Sequence, residues 1–295
     1  MTGARAEGGY SRIERLGATG STNDVVRAWL DAGTPEICVA TATEQTAGRG
    51  RMGRTWTAPD GAALLLTAGF RPAWLPVERT WRLAATVALA MSDAAEGVAG
   101  LPLGAVRLKW PNDLVIETTG PNALLAGETD AEAVAARLAA PLELRKLAGV
   151  LGESDGLGTD DPRVVVGIGI NADWAAADFP AELAGTMTSL REASGGRPVD
   201  LDTLFEAFLG HLETRYEALV AGYFDHDGWV RRQATTGRLV TLESAAGAGA
   251  ALPVLALGVD SVSGGLVVED TAAPNGERTV HAGEVVHVRL ARAGV

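Results

Sequence analysis

The sequence predicts an α/β protein followed by a small all-β domain, on two observations. Over the first 235 residues, apolar segments of strand length alternate with longer segments whose apolar residues recur at helical spacing. From Gly237 onward the chain consists of five short β segments separated by glycine turns, a pattern typical of a small barrel of the SH3 type. We therefore expect one domain over residues 1–235 and a second over residues 236–295.

Composition excludes several classes of protein. The chain has 295 residues and is 47% hydrophobic, so it can bury a sizeable core without disulfide bridges. Its single cysteine, Cys38, cannot form an internal disulfide, and the N-terminus has no apolar segment of the kind that directs secretion. No apolar run of about 18 residues offers a membrane span. A net charge of −12 argues against a DNA-binding surface. The hydrophobic content predicts a globular enzyme, and the single cysteine and the N-terminal composition predict a cytoplasmic one.

Lysine is rare in this chain. Of 25 basic residues only two, Lys109 and Lys146, are lysine. Chance survival of two surface lysines is one explanation. The other is that a compact ammonium fits a tight phosphate site from which the wider guanidinium is excluded. Composition alone leaves both explanations open.

The N-terminal segment predicts a strand over residues 11–16, a turn over 17–20 and then a helix that begins at Ser21-Thr22-Asn23-Asp24. The buried face of that helix is expected to consist of Val25, Val26, Trp29 and Leu30. The tetrad has the residue types of a helix N-cap and first turn. Hydroxyls and an amide at a helix start can also bind the polar head of a ligand, and spacing does not separate the two interpretations.

A glycine- and arginine-rich stretch over residues 44–56 lies between two predicted strands, 36–43 and 63–68. Its glycines, Gly48, Gly50 and Gly53, match the spacing of the dinucleotide fingerprint, but that fingerprint requires a helix at the third glycine, whereas a strand follows here. The lysine of a phosphate-binding P-loop is also missing. Glycine lets the main chain approach a ligand closely, and guanidinium groups match carboxylate and phosphate oxygens, so the stretch predicts an anion site.

A long helix is predicted over residues 78–98, and residues 106–116 read as a strand, a break at Pro111 and a second strand. Lys109, Asn112 and Asp113 lie at that break, where side chains can leave the sheet for a cleft. A lysine and an aspartate so close together usually form a surface ion pair. The rarity of lysine in this chain favours a functional role instead.

Residues 117–145 read as an excursion with a short helix over 132–140, followed by two central strands over 146–153 and 163–171. Gly167 and Gly169 would leave space on one face of the second strand, with Asn171 at its end. Residues 174–197 read as a loop that enters a short helix, and 201–221 as a long helix.

The C-terminal β segments are predicted over 238–243, 252–258, 265–270, 278–281 and 284–290. The four histidines lack the spacing of a transition-metal site, so no protein-held transition metal is expected.

Four motifs occur in one order: Gly48–Trp56 (G-R-G-R-M-G-R-T-W), Lys109–Asp113 (K-W-P-N-D), Lys146–Leu151 (K-L-A-G-V-L) and Gly167–Asn171 (G-I-G-I-N). Together with the small β domain that follows, they resemble the biotin protein ligases over most of residues 17–291. The resemblance implies a mixed-sheet catalytic domain like that of class II synthetases, with an SH3-like C-terminal domain. It also implies two-step chemistry: biotin and ATP form biotinyl-5′-adenylate and pyrophosphate, and the biotinyl group then passes to a lysine of a biotin carboxyl carrier domain of an acyl-CoA carboxylase.

The resemblance also implies residue roles. Those expected to bind biotin are Ser21, Thr22, Asn23, Gln45, Arg49, Gly50, Arg51, Trp56 and Lys146. Those expected to bind ATP are Arg51, Arg54, Lys109, Asn112, Asp113 and Asn171, and Arg51, Lys146 and Lys109 are expected to be catalytic. Mg²⁺ would arrive on the triphosphate, with Asp113 or Asn171 as a ligand. Because an acyl-adenylate hydrolyses in water, we expect the glycine-rich stretch to be a lid, mobile without ligand, with Trp56 or Met52 as apolar cover.

Two departures from the family pattern are visible. About 30 residues separate K-W-P-N-D from K-L-A-G, where the family has a short turn, and this puts the geometry between Asp113 and Lys146 in doubt. No DNA-binding domain precedes the first strand, so a monofunctional ligase, monomeric or homodimeric, is expected. The alternatives are a lipoate-type ligase, which should lack the glycine–arginine stretch, and a non-catalytic biotin-binding protein, which could lose the phosphate lysines.

Overall fold

A computed structural model describes residues 5–7, 9–124, 130–244, 253–282 and 285–290. Its strands in the larger sheet are β1 (Arg5–Glu7), β2 (Tyr10–Thr19), β3 (Cys38–Gln45), β4 (Ala63–Phe70), β5 (Val106–Lys109), β6 (Asp113–Glu117), β7 (Leu144–Asp155) and β8 (Arg163–Asn171). They form an eight-stranded sheet in the order β1-β2-β3-β4-β8-β7-β6-β5. The pair β2 and β3 is parallel and β3 and β4 are antiparallel, so the sheet is mixed.

The described helices are α1 (Thr22–Asp31), α2 (Trp81–Ala99), α3 (Ala131–Ala139), α4 (Leu190–Ala193), α5 (Leu201–Val220) and α6 (His226–Arg231). The smaller sheet consists of β9 (Arg238–Ser244), β10 (Val254–Val259), β11 (Leu266–Glu269), β12 (Glu277–Val280) and β13 (Val285–Leu290). Its five strands pair antiparallel in the order β12-β11-β10-β9-β13. None of the helices in the described part of the chain is long and apolar enough to cross a membrane.

The two faces of the larger sheet differ because successive strand residues point to opposite sides. On β8, Val164, Val166 and Ile168 belong to the main core, which α2 and α5 cover. Val165 points the other way and packs with Val26 of α1. Gly167 and Gly169 therefore share the α1 face, where their lack of a side chain leaves space above the sheet.

The smaller sheet packs against the motif that joins β5 to β6. Trp110 is 5% exposed and belongs to the core of that sheet, together with Val240 and Leu266. Its indole Nε1 donates a hydrogen bond to Gly264 O at 3.0 Å, and Trp81 Nε1 donates to Val262 O at 2.7 Å. The lysine-containing loop is thus fixed by the second sheet as well as by the first.

The structure confirms the predicted α/β class, and a strand follows the glycine-rich stretch as expected. The turn predicted over 17–20 was wrong, because β2 continues to Thr19, where it pairs with Gln45. The helix predicted from Glu78 begins at Trp81, since residues 77–79 form a separate 3₁₀ turn. Strand β1 and helix α6 were not predicted, and Leu252 and Glu284, placed in strands by the sequence, lie outside the described residues. The expected domain boundary falls between α6 and β9.

Candidate active site

A cavity of about 540 Å³ opens on the α1 face of the larger sheet, above the glycines of β7 and β8. Nearly every residue that the sequence assigned to a ligand lines it: Ser21, Thr22, Asn23, Gln45, Arg49, Gly50, Arg51, Arg54, Trp56, Lys109, Asn112, Asp113 and Lys146. These residues come from five separate segments of the chain. The fold therefore brings the four motifs to one place.

One end of the cavity, which we call the head end, consists of uncharged hydrogen-bonding groups at the start of α1. Ser21, Thr22 and Asn23 are each less than 5% exposed. The Thr22 amide donates to Gln45 Oε1 at 2.8 Å, which ties the helix start to the end of β3. Ser21 is the N-cap residue by position, but its side chain makes no capping hydrogen bond. A capping hydrogen bond therefore does not account for this serine, and ligand binding by Ser21, Thr22 and Asn23 stays a prediction.

Two residues that the sequence analysis missed support the head end. Thr67 is completely buried in β4, and its hydroxyl lies 2.6 Å from Asn23 Oδ1. Glu153 of β7 accepts a hydrogen bond from Asn23 Nδ2 at 2.6 Å. A hydroxyl in the apolar strand Ala63–Phe70 was a visible signal for Thr67. Glu153 lies four residues after Gly149, so strand alternation places it on the cavity face.

The glycine–arginine stretch folds as a small hairpin, which we call the loop hairpin, over residues 48–56. The Trp56 amide donates to Gly48 O at 2.9 Å, and the Gly50 amide donates to Arg54 O at 2.7 Å. A Cβ on Gly48 would lie 2.3 Å from the main-chain oxygen of Trp56. Gly48 is therefore required by the close approach of the two hairpin strands.

Trp56 forms a wall of the cavity where β8 has glycine and therefore no side chain. A Cβ on Gly169 would lie 2.6 Å from Trp56 Nε1, so the indole occupies the space that the glycine leaves. Lys146 Nζ is 5.4 Å from the centroid of the same ring, within the range of a cation–π interaction. Met52, the other expected cover residue, is 54% exposed at the hairpin tip. Whether the loop hairpin moves on ligand binding stays a prediction.

At the other end of the cavity, the phosphate end, the chain's two lysines meet one carboxylate. Lys146 Nζ lies 2.6 Å from Asp113 Oδ1, and Lys109 Nζ lies 3.9 Å from Asp113 Oδ2. The excursion between β6 and β7 does not disturb this geometry, because Asp113 pairs directly with Gly149 across the two strands. Within the described part of this insertion, helix α3 has no buried residue.

Arg51 enters the phosphate end from the loop hairpin. Its Nη1 donates to Asn112 Oδ1 at 3.4 Å, and its Nη2 donates to the main-chain oxygen of Ala282. Burial lowers the pKa of the Arg51 guanidinium from its ordinary value, while the nearby Asp113 carboxylate acts in the opposite direction. A partly buried guanidinium interacts more strongly with an anion than a fully exposed one.

Asn171 is placed differently from the other predicted residues. It is 3% exposed, and its Nδ2 donates to Thr188 O at 3.0 Å, so the side chain anchors the loop that leads to α4. It is not among the residues that line the cavity. Arg49 lines the cavity, but its guanidinium is engaged by Asp24 at 2.7 Å. A role of either side chain in ligand binding stays a prediction.

The cavity thus combines an uncharged hydrogen-bonding end and a lysine-rich end on one face of an α/β fold. Residues 18–171, more than half of the chain, match the model of the biotin/lipoate A/B protein ligase family. The chain belongs to this family.

Comparison with individual proteins agrees. The chain is 31% identical over 211 residues to the biotin–[acetyl-CoA-carboxylase] ligase of Mycobacterium tuberculosis, covering 71% of this chain and 66% of that one. It is 30% identical over 196 residues to the bifunctional ligase/repressor BirA of Bacillus spizizenii, covering 66% of this chain and 51% of that one. The aligned region thus spans about half the length of the first curated relatives that it matches.

Two solved structures are similar over nearly the whole chain. The biotin protein ligase of Aquifex aeolicus in complex with biotin and ATP has a TM-score of 0.69 at 22% identity, covering 95% of this chain and 99% of that one. The biotin protein ligase of Leishmania major in complex with biotinyl-5-AMP has a TM-score of 0.53 at 26% identity, covering 92% and 98%. The likeness to the Aquifex structure supports the fold, including the C-terminal sheet.

Proposed function

We propose that this chain activates biotin with ATP, forming biotinyl-5′-adenylate and pyrophosphate, and then transfers the biotinyl group to a lysine of a biotin carboxyl carrier domain. The observation that carries the proposal is the cavity itself, in which an uncharged hydrogen-bonding end and a lysine-rich end face one space in a member of the biotin/lipoate ligase family. The named ligases among its relatives support the same reaction. The acceptor would belong to an acyl-CoA carboxylase, and the reaction would take place in the cytoplasm.

The head end favours biotin over lipoate. The bicyclic head of biotin carries a urea group, with one carbonyl oxygen and two N–H groups that need hydrogen-bond partners. Ser21, Thr22 and Asn23 offer hydroxyl and amide groups on that side of the cavity. The dithiolane ring of lipoate has no such groups, so it would displace water from these side chains without offering a hydrogen bond in return, at a cost in affinity.

In the first step, the biotin carboxylate attacks the α-phosphate of ATP, and pyrophosphate leaves. Two anions must approach each other, so the site has to supply positive charge that acts most strongly as charge spreads onto the phosphate oxygens. Lys146, Arg51 and Lys109 line the cavity, and both lysines contact Asp113, so these three side chains can supply that charge. The carboxylate is already ionised, so this step needs no general base.

Mg²⁺ fits the proposal as a companion of the nucleotide. Within the described part of the chain, no group of three or more His, Cys, Asp or Glu side chains is placed to hold a metal ion. Asp113 is the one carboxylate among the described lining residues. A single carboxylate beside the expected phosphate position suits Mg²⁺, which usually binds through one or two carboxylates together with substrate phosphates. The ion would neutralise phosphate charge, with Asp113 as a direct or water-mediated ligand.

The experiment that tests the proposal is exchange of labelled pyrophosphate into ATP, measured with the purified chain. We expect exchange that depends on biotin and is absent when lipoate replaces it, because only biotin matches the polar head end. Exchange supported by lipoate and not by biotin would assign the chain to the other branch of its family. Stoichiometric biotin binding without any exchange would assign it to the non-catalytic class.

A further inference from the structure

Arg49 of the loop hairpin is held by two carboxylates outside the hairpin. Its Nη1 donates to Asp24 Oδ2 and its Nη2 donates to Asp24 Oδ1, both at 2.7 Å, which is the two-pronged geometry of a strong arginine–carboxylate pair. The Nη2 atom also lies 3.3 Å from Glu153 Oε2. One loop side chain therefore joins the hairpin to two different elements of the sheet and helix framework.

The two carboxylates belong to fixed parts of the fold. Asp24 lies in the first turn of α1, and Glu153 lies in β7, where it also accepts a hydrogen bond from Asn23. The hydrogen bond from Arg49 is the main cause that holds the pKa of Asp24 below its ordinary value. The pKa of Glu153 is also lowered: hydrogen bonds from Asn23 and Arg49 and the positive charge of Arg27 outweigh its burial. Both groups are thus charged near neutral pH and available to the arginine.

We propose that Asp24 and Glu153 are positioning residues that hold Arg49 and so keep the loop hairpin closed over the acyl-adenylate. This rests on the proposed function. A mixed anhydride of a carboxylate and a phosphate reacts with water and with any nearby amine, so it must be enclosed until the correct acceptor arrives. When it escapes, an amine nitrogen bonds to the acyl carbon, the acyl–oxygen bond to phosphate breaks, AMP departs with the electron pair and the amine proton passes to solvent.

Arg27 provides a matched control inside the same cluster. It contacts both carboxylates, with Nη1 at 3.2 Å from Asp24 Oδ1 and Nη2 at 3.0 Å from Glu153 Oε2. It lies on α1 itself and therefore does not connect the loop hairpin to anything. Neither Arg27 nor Asp24 lines the cavity, so replacing them leaves the described ligand-binding surface intact.

The experiment compares the full-length chain with the variants Asp24→Asn, Arg49→Gln, Arg49→Lys and Arg27→Gln. Each protein is incubated with radiolabelled biotin, ATP and pyrophosphatase so that labelled biotinyl-adenylate forms on it. Unbound label is then removed. Two rates are then measured: loss of label from the protein, and its appearance on lysines of serum albumin. We expect Asp24→Asn and Arg49→Gln to raise both rates about 3- to 10-fold, the effect expected when a half-exposed arginine–carboxylate pair is lost. The exchange kcat of Asp24→Asn should change less than about twofold, because Asp24 does not line the cavity. Arg49→Lys should fall between Arg49→Gln and the wild type, and Arg27→Gln should match the wild type.

Salt provides a readout that a general loss of structure would not reproduce. Because Arg49 is held by ion pairs, raising the ionic strength should speed release of the adenylate from the wild type. It should have little further effect on Arg49→Gln, which has already lost these pairs. Release rates of Asp24→Asn and Arg49→Gln equal to the wild type would overturn the proposal while leaving the ligase function intact. If the wild type forms no adenylate at all, the proposed function would be overturned, and with it the role of Asp24 and Glu153 in holding Arg49.

Discussion

The head end and the phosphate end of the cavity are built from different chemistry on the same sheet face. At the head end, buried neutral groups already have protein partners: the Thr22 amide donates to Gln45, and Asn23 is held between Thr67 and Glu153. At the phosphate end, two ammonium groups surround the single carboxylate of Asp113. The first arrangement fixes the direction of hydrogen-bonding groups, and the second concentrates charge.

This difference indicates a division of roles. Fixed neutral groups discriminate between ligands, since a ligand that lacks matching donors and acceptors displaces water from them without replacing its hydrogen bonds. Concentrated positive charge stabilises a transition state in which negative charge develops, so it acts on rate. Changes at the head end should therefore appear in KM for biotin, and changes at the phosphate end should appear in kcat.

The largest effect is expected from Lys146→Gln, which should lower the kcat of pyrophosphate exchange by about 10²- to 10³-fold, as for removal of one charged transition-state contact. Lys146→Arg should also be impaired, because a guanidinium does not fit where an ammonium lies 2.6 Å from Asp113. The matched control is Arg145→Gln at the adjacent position, which pairs with Glu192 and does not line the cavity. If Lys146→Arg exchanges pyrophosphate as well as the wild type does, the site does not require an ammonium group, and the rarity of lysine would carry no functional meaning.

The loop hairpin serves both ends, so Gly48→Ala should affect KM and kcat together. A Cβ at this position would lie 2.3 Å from the main-chain oxygen of Trp56, and the hairpin would have to open. We expect kcat/KM to fall by about tenfold or more, as for overpacking that displaces backbone. Gly17→Ala is the control, since no atom lies within 4 Å of its added Cβ. A variant as active as this control would show that the loop hairpin is not formed during turnover.

A smaller and more selective effect is expected from Thr67→Val. The change removes the hydroxyl that supports Asn23, so KM for biotin should rise by about fivefold, the value of one neutral hydrogen bond, while kcat stays within about twofold. Thr41→Val is the matched control, because this buried hydroxyl donates to Leu65 O and does not line the cavity. Equal steady-state constants for Thr67→Val and Thr41→Val would mean that the head end is not the biotin site.

The smallest effect concerns stability and pH. The pKa of Asp24 is lowered in the folded protein, so its contribution to stability is present above the ordinary carboxyl range and is lost as pH falls through the lowered pKa. The free energies of unfolding of the wild type and Asp24→Asn, measured by urea titration, should differ by a constant amount from about pH 6 to 8 and converge below about pH 4. A difference that grows toward acid pH would contradict the assigned pair with Arg49.

Residue type and spacing were sufficient to find most of the cavity, because its motifs occupy strand ends and a glycine-rich connection where few other roles are open. They were not sufficient for the contacts of Arg49. Its partner Asp24 is 25 residues away in sequence, and Glu153 is 104 residues away, so only the fold reveals that the guanidinium is engaged. Asn171 was assigned from its motif, whereas the structure turns its amide toward Thr188.

Elements were predicted where the hydrophobic pattern was long and regular, as for α5 and β4. Helix α6 was missed because its six residues are too few to show a period, although Asp225 caps it through a hydrogen bond from the Gly228 amide. Thr67 was missed because it was grouped with an apolar strand. Its position on the face opposite Leu66 and Ala68 was available from strand alternation, since those two residues belong to the main core.

The most direct test of the central claim, that one cavity serves both steps, is mass spectrometry of a biotin carboxyl carrier domain incubated with the purified chain, biotin, ATP and Mg²⁺. The account predicts that one carrier lysine gains a biotinyl group, that the gain requires ATP, and that Lys146→Gln abolishes it over the same interval. An unmodified carrier in the presence of accumulated biotinyl-adenylate would contradict the second step. Modification that proceeds equally well in Lys146→Gln would contradict the role of the phosphate end.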